Sequence, residues 1–104
     1  MNITLRKDGK EKTFTVNQIS AFMLRRTIEI NKTMDLSDMD ANTLDAAADF
    51  IVDTFEKQFE RDDVYAGLSC HELIPTFQYL MGSVISKSNE AIGAETDPNV
   101  RAGV

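Results

Sequence analysis

The first stretch of the chain alternates between polar and apolar residues. Ile3 and Leu5 are spaced by Asn2, Thr4 and Arg6, and Phe14 and Val16 by Thr13 and Thr15, the period of two that a half-buried strand shows. Between the two runs stands Asp8-Gly9, the strongest short hairpin signal, among Lys7, Lys10 and Lys12. A lone hairpin is marginal in water, so its Ile3, Leu5, Phe14 and Val16 face is expected to pack on helices. From Gln18 to Met34 the spacing changes to three and four, through Ile19, Phe22 or Met23, Thr27, Ile30 and Met34. This predicts a helix capped by Asn17 or Ser20, with Arg25, Arg26 and Lys32 on its other face. The run from Asp35 to Asp40 reads as a connection, with Leu36 and Met39 anchoring it to the core.

Asp40 or Asn42 can cap the next helix, which is expected to run through Phe59 with Leu44, Ala47, Ala48, Ile51, Phe55 and Phe59 on one side. Phe50 and Thr54 widen that stripe. Opposite it Asp45, Asp49, Asp53, Glu56 and Glu60 form an acidic row, which reads as a solvated face or, alternatively, as a surface for a cation or a basic partner. Arg61 should close this helix. Asp62 and Asp63 then cap a short helix ending at Gly67, placed there as a residue that tolerates left-handed dihedrals. Ser69 and Glu72 have capping-box spacing, so a long helix is expected from Cys70, bent where Pro75 falls inside it. That helix carries Leu73, Ile74, Phe77, Leu80, Met81, Val84 and Ile85 as a broad apolar band, and Gly82 leaves room for another backbone. Residues 87–104 lose the period and gain glycine and proline. The expected organisation is one domain over residues 1–86 followed by a flexible or weakly docked tail over 87–104. Its fold class is α+β, mainly helical, with the hairpin packed on three main helices plus the short one.

The order of these features resembles the small tail assembly chaperones of long-tailed bacteriophages of Gram-positive hosts. The matching residues are Phe59, Arg61, Asp62, Asp63, Tyr65, Gly67, Leu68, Glu72, Leu73, Ile74 and Pro75, preceded by a hairpin with a lysine-rich turn, the run T-F-T-V and then Ile19, Ser20 and Ala21. The likeness spans residues 2–86. It implies a protein of the host cell cytoplasm, absent from the mature virion, that binds the tape-measure protein, keeps it soluble and helps recruit tail-tube subunits. It further implies contact with the tail-tube protein through a longer frameshifted form, and several copies along one client or a homo-oligomeric ring around it. On the apolar surplus of the last helix and its expected bend, the client groove is assigned to Phe77, Leu80, Met81, Val84 and Ile85, with Met23 opposite. The rival reading is a structural virion component such as a head-tail connector or tail completion protein.

Composition narrows the chemistry. The net charge of −6 conceals a split: residues 1–34 carry seven Lys or Arg against three acids, residues 35–63 two against ten, and the rest two against four. Such asymmetry can steer a partner or pair one part of the fold, or of a neighbouring protomer, with another. The basic third is too small and too close to the acidic one to track phosphates, so nucleic acid is not expected as a partner. The basic hairpin tip reads as a solvated loop or as a contact for an acidic partner. No run approaches the ~18 apolar residues of a membrane span, and the opening lacks the apolar region of a signal peptide.

One cysteine, Cys70, and one histidine, His71, leave no intrachain disulfide and no multi-histidine metal site. Cys70, His71 and Glu72 are consecutive, so on a helix they point about 100° apart and do not converge on one centre. No nucleotide-binding or hydrolase motif is present. Neither cofactor nor metal nor catalytic residue is expected, and an enzyme built on Cys70 is disfavoured. Met23, Met34, Met39 and Met81 lie on or beside the apolar faces, where methionine serves as core filling or as an adaptable contact.

Overall fold

The computed structural model describes residues 1–35 and 37–95. It is α+β and mainly helical: strands β1 (Asn2–Lys7) and β2 (Lys10–Thr15) form an antiparallel hairpin, followed by helices α1 (Ala21–Thr33), α2 (Ala41–Thr54), α3 (Arg61–Gly67) and α4 (Leu73–Glu95). Asp8 and Gly9 both have positive φ, 54° and 77°, as the central positions of a type I′ turn require. That turn sets Lys7 opposite Lys10, Leu5 opposite Lys12 and Ile3 opposite Phe14. Ile3, Leu5 and Val16 are buried and Phe14 is half-buried. They join a core of Phe50, Ile51 and Phe55 from the α2 segment, Val64 from α3, and Phe77 and Leu80 from α4. Helix α4 packs on both α1 and α2, while α3 packs on α2 and β1. The buried hydroxyls of Thr27 and Thr54 donate to the carbonyls of Met23 and Phe50 one turn earlier, at 2.8 and 2.7 Å, which removes the cost of enclosing them.

Helix α2 begins where expected, with Asp40 accepting from the Thr43 N–H at 2.9 Å, but it stops at Thr54 rather than Phe59. The Lys57 N–H donates to the Val52 carbonyl and the Glu56 N–H to that of Asp53, the bond pair of a Schellman ending. Glu56 and Lys57 are accordingly left-handed, with φ of 57° and 58°. The turn brings Gln58 to the end of β2, where its Nε2 donates to the Thr15 carbonyl at 2.9 Å. Phe55 and Phe59 still meet, with ring centroids 5.8 Å apart, but across a turn and not along a helical face.

The short helix starts one residue earlier than expected, because Glu60 is its cap and forms a capping box with Asp63. Arg61 therefore opens α3 instead of closing α2. Gly67 has no positive φ; it is needed for space, since a Cβ there would come within 2.8 Å of Leu5 Cβ.

At α4 the Glu72 carboxylate accepts from the Ser69 N–H at 2.8 Å, as the spacing of the pair predicts. The helix itself starts at Leu73 and not at Cys70. Pro75 is thereby in the first turn, where its absent N–H has no intrahelical acceptor to miss. The first helical bond runs from the Thr76 N–H to the Glu72 carbonyl, so the hydrogen-bond defect expected at Pro75 does not arise. Met39 is 43 % exposed and does not anchor the connection; Leu36, the other expected anchor, lies outside the described residues. The backbone of 87–95 continues α4 as helix, and the remainder of the expected tail, 96–104, lies outside the described residues.

Candidate partner-binding face

Helices α1 and α4 lie side by side, and the residues assigned to a client groove fall on their shared side of the core. Met23, Phe77, Leu80 and Val84 are buried in one cluster. Phe77 meets Phe50 edge-to-face with centroids 5.4 Å apart. These four face the chain's own interior, whereas Met81 and Ile85 are half-buried at its rim. The i, i+4 step from Met81 to Ile85 places them on one flank of α4, a flank that Ile74 extends toward the N-terminus.

The choice between Phe22 and Met23 is resolved by the packing: Met23 points inward, and Phe22 is 73 % exposed. A shallow recess of about 320 Å³ beside Phe22 is lined by Met23, Arg26, Asp53, Glu56 and Lys57. Ile28 on α1, 48 % exposed, and Tyr79 on α4, 64 % exposed, also stand outside the core. Neither is part of the three-and-four stripe of its helix. That offset was the available signal, since an apolar residue outside the stripe is one the fold leaves in water.

The acidic row of α2 is an intramolecular clamp. Arg61 of α3 grips Asp49 through Nε at 2.9 Å and Nη2 at 2.8 Å, a bidentate pair, and approaches Asp45 at 3.7 Å. The Tyr65 hydroxyl donates to Asp45 at 2.6 Å, and Arg26 of α1 pairs with Asp53. Arg6 and Lys7 of the hairpin reach Glu72 and Asp63 at 2.5 and 3.6 Å. The charge split along the chain is thus spent in part inside the fold, joining the basic first third to later elements.

The shifted acidities follow these contacts. The Arg61 hydrogen bonds hold Asp49 below the usual carboxylate range. Asp63 is lowered mainly by the Glu60 N–H and then by Lys7. Partial burial, reinforced by the bond to Asp45, pushes the Tyr65 hydroxyl up to about 12. The Ser69 N–H, with Arg6 beside it, brings Glu72 down to about 2. Each of these groups is occupied in capping or in joining elements. Cys70 and His71 are exposed. The His71 ring lies 3.4 Å from the Ser69 hydroxyl. Among the described residues no group of three or more His, Cys, Asp or Glu is placed to hold a metal ion, and no helix is long and apolar enough to cross a membrane.

What the arrangement offers is apolar contact on α1 and α4 carried by a salt-clamped scaffold. Neither a curated protein nor a solved structure gives a significant match to the chain. A family model described as "Phage tail chaperone protein" matches residues 1–99, which takes in the hairpin and all four helices, and the chain belongs to that family.

Proposed function

We propose that this tail chaperone binds the tape-measure protein of its phage, keeps that long helical client soluble and helps recruit tail-tube subunits around it. The observation that carries the reading is the set of apolar side chains left at the surface of adjacent helices, Phe22 and Ile28 on α1 with Met81 and Ile85 on α4, in a chain of this family. An amphipathic client helix laid along α4 would bury its stripe against Met81 and Ile85, and methionine adapts to an irregular partner. Met23, Phe77, Leu80 and Val84 serve this face from beneath by fixing the distance between α1 and α4. The work is binding without catalysis, done in the host cytoplasm by a protein left out of the finished virion. The tail-tube protein is met through a longer frameshifted product, and several copies occupy one client.

Co-expression with the tape-measure protein, followed by size exclusion with light scattering, tests this. A soluble complex of defined stoichiometry is the expected result and counts the copies. A client that remains insoluble while this chain elutes alone would overturn the reading and favour a structural component of the particle.

A further inference from the structure

Strand β2 has an open edge. Met1 and Val16 exchange backbone hydrogen bonds at 2.9 and 3.0 Å. The alternation of an antiparallel ladder then makes Ile3–Phe14 and Leu5–Lys12 hydrogen-bonded pairs, and Thr4–Thr13 and Arg6–Glu11 the pairs between them. The N–H and C=O groups of Glu11 and Thr13 therefore point away from β1, and within the described residues no hydrogen bond reaches them. Among the described residues the edge is closed only at Thr15, whose carbonyl accepts from Gln58.

A cleft of about 370 Å³ opens beside this edge, between the hairpin and α3. Leu5, Phe14 and Phe59 line its apolar part, the two rings 4.8 Å apart. At its margin Lys7 is paired with Asp63, Asp8 lies at the turn, and Lys12 is the cation left without a carboxylate among the described residues. Lys12 holds its ammonium 5.3 Å from the Phe14 ring centroid. Neither Lys10 nor Lys12 has a carboxylate partner among the described residues. Lys10, Lys12 and Phe14 alternate along β2 and so share one face. A strand added at the edge would bring its own alternate side chains beside them.

We propose that β2 is a docking edge for an extended segment of another protein whose side chains on that face read apolar, acidic, acidic. The apolar one enters the cleft over Phe14 and Phe59, and the two carboxylates meet Lys12 and Lys10. Backbone bonds to Glu11 and Thr13 hold the strand, and the charge pattern selects it. A second copy of this hairpin is the poorer occupant, because its own β2 offers lysines where carboxylates are called for.

The probe is a fluorescein-labelled peptide carrying Phe-Thr-Glu-Thr-Glu between Gly-Ser flanks, titrated into the full chain by anisotropy, with amide exchange followed by NMR. The peptide binds, the amides of Glu11 and Thr13 gain protection, and a peptide with Lys at both Glu positions binds at least about tenfold more weakly. The double variant Lys10→Glu, Lys12→Glu exchanges that preference. Thr13→Pro keeps the β1–β2 ladder, since the lost N–H points outward, and weakens binding by about tenfold or more. If that variant does not fold, the charge exchange decides. The proposal is overturned by no binding, by equal binding of both peptides, or by undiminished binding to folded Thr13→Pro. Protection of Glu11 and Thr13 that rises with protein concentration alone also overturns it and assigns the edge to a second copy.

Discussion

Gly67 and Leu5 are packed so closely that a Cβ on the glycine would lie 2.8 Å from Leu5 Cβ, with the Arg6 backbone nitrogen at 3.2 Å. Neither obstacle is the loose end of a side chain, so relief requires α3 and β1 to move apart. Arg61 and Tyr65 tie α3 to α2, and that movement would strain the clamp. Gly67→Ala is therefore expected to destabilise the fold by about 1–3 kcal/mol despite alanine's better helix propensity. Urea unfolding should show a lower midpoint at an unchanged slope. Ala66→Gly, at an exposed neighbouring position, should cost only about 0.5–1 kcal/mol.

That contact also marks where reading from sequence stops. Hydrophobic period predicts the hairpin and the three main helices, because each of them has to bury one face whatever its neighbours are, and the short helix is read from its capping residues. Ends and reasons are set by contacts from elsewhere. Glutamate and lysine are poor signals for the left-handed pair that ends α2, and a glycine at 67 looks the same whether it supplies a dihedral or a gap. On the candidate face of α4, spacing aligns Phe77, Leu80 and Val84 with Met81 and Ile85 nearby. It does not say that α1 and α2 fill the first three and leave the last two at the rim. Ile28 and Tyr79 stand off their stripes in the sequence itself, whereas Phe22 is told from Met23 as the outer side chain only once α1 has neighbours.

Glu72 links acid stability to the joint between hairpin and α4. Its carboxyl lies at about 2, against 4.5 for a free glutamate, chiefly through the Ser69 N–H and then Arg6. A group whose folded pKa is depressed adds stability above its unfolded pKa and loses it as pH falls through the folded value. Glu72→Gln should thus be less stable than the parent at neutral pH. The gap should close as pH drops from about 4.5 toward 2, read as urea midpoints at stepped pH. A gap constant across that window would mean that the carboxylate's charge does not contribute.

Glu56 occupies a left-handed position, φ 57°, that glycine would fill without steric cost. Its side chain is exposed and makes no ion pair among the described residues. Glu56→Gly should therefore stabilise the chain by about 1 kcal/mol, seen as a higher melting temperature. Gln58→Gly should do the opposite, since it removes the bond to the Thr15 carbonyl without relieving a left-handed residue.

The client-binding reading makes opposite demands on two sets of residues of one helix. Met81 and Ile85 are half-buried, so Met81→Asp and Ile85→Asp should leave a folded chain with native circular dichroism and a modest loss of stability. Binding of the tape-measure protein should then fall by about tenfold or more, as removal of a central apolar contact does. Phe77 is fully buried against Phe50, and Phe77→Ala should cost about 3–5 kcal/mol of stability. Any binding it loses should therefore track unfolding. Should the aspartate variants fold and still hold the client at full strength, the α4 rim is not the contact, and Phe22 and Ile28 on α1 are left to make it.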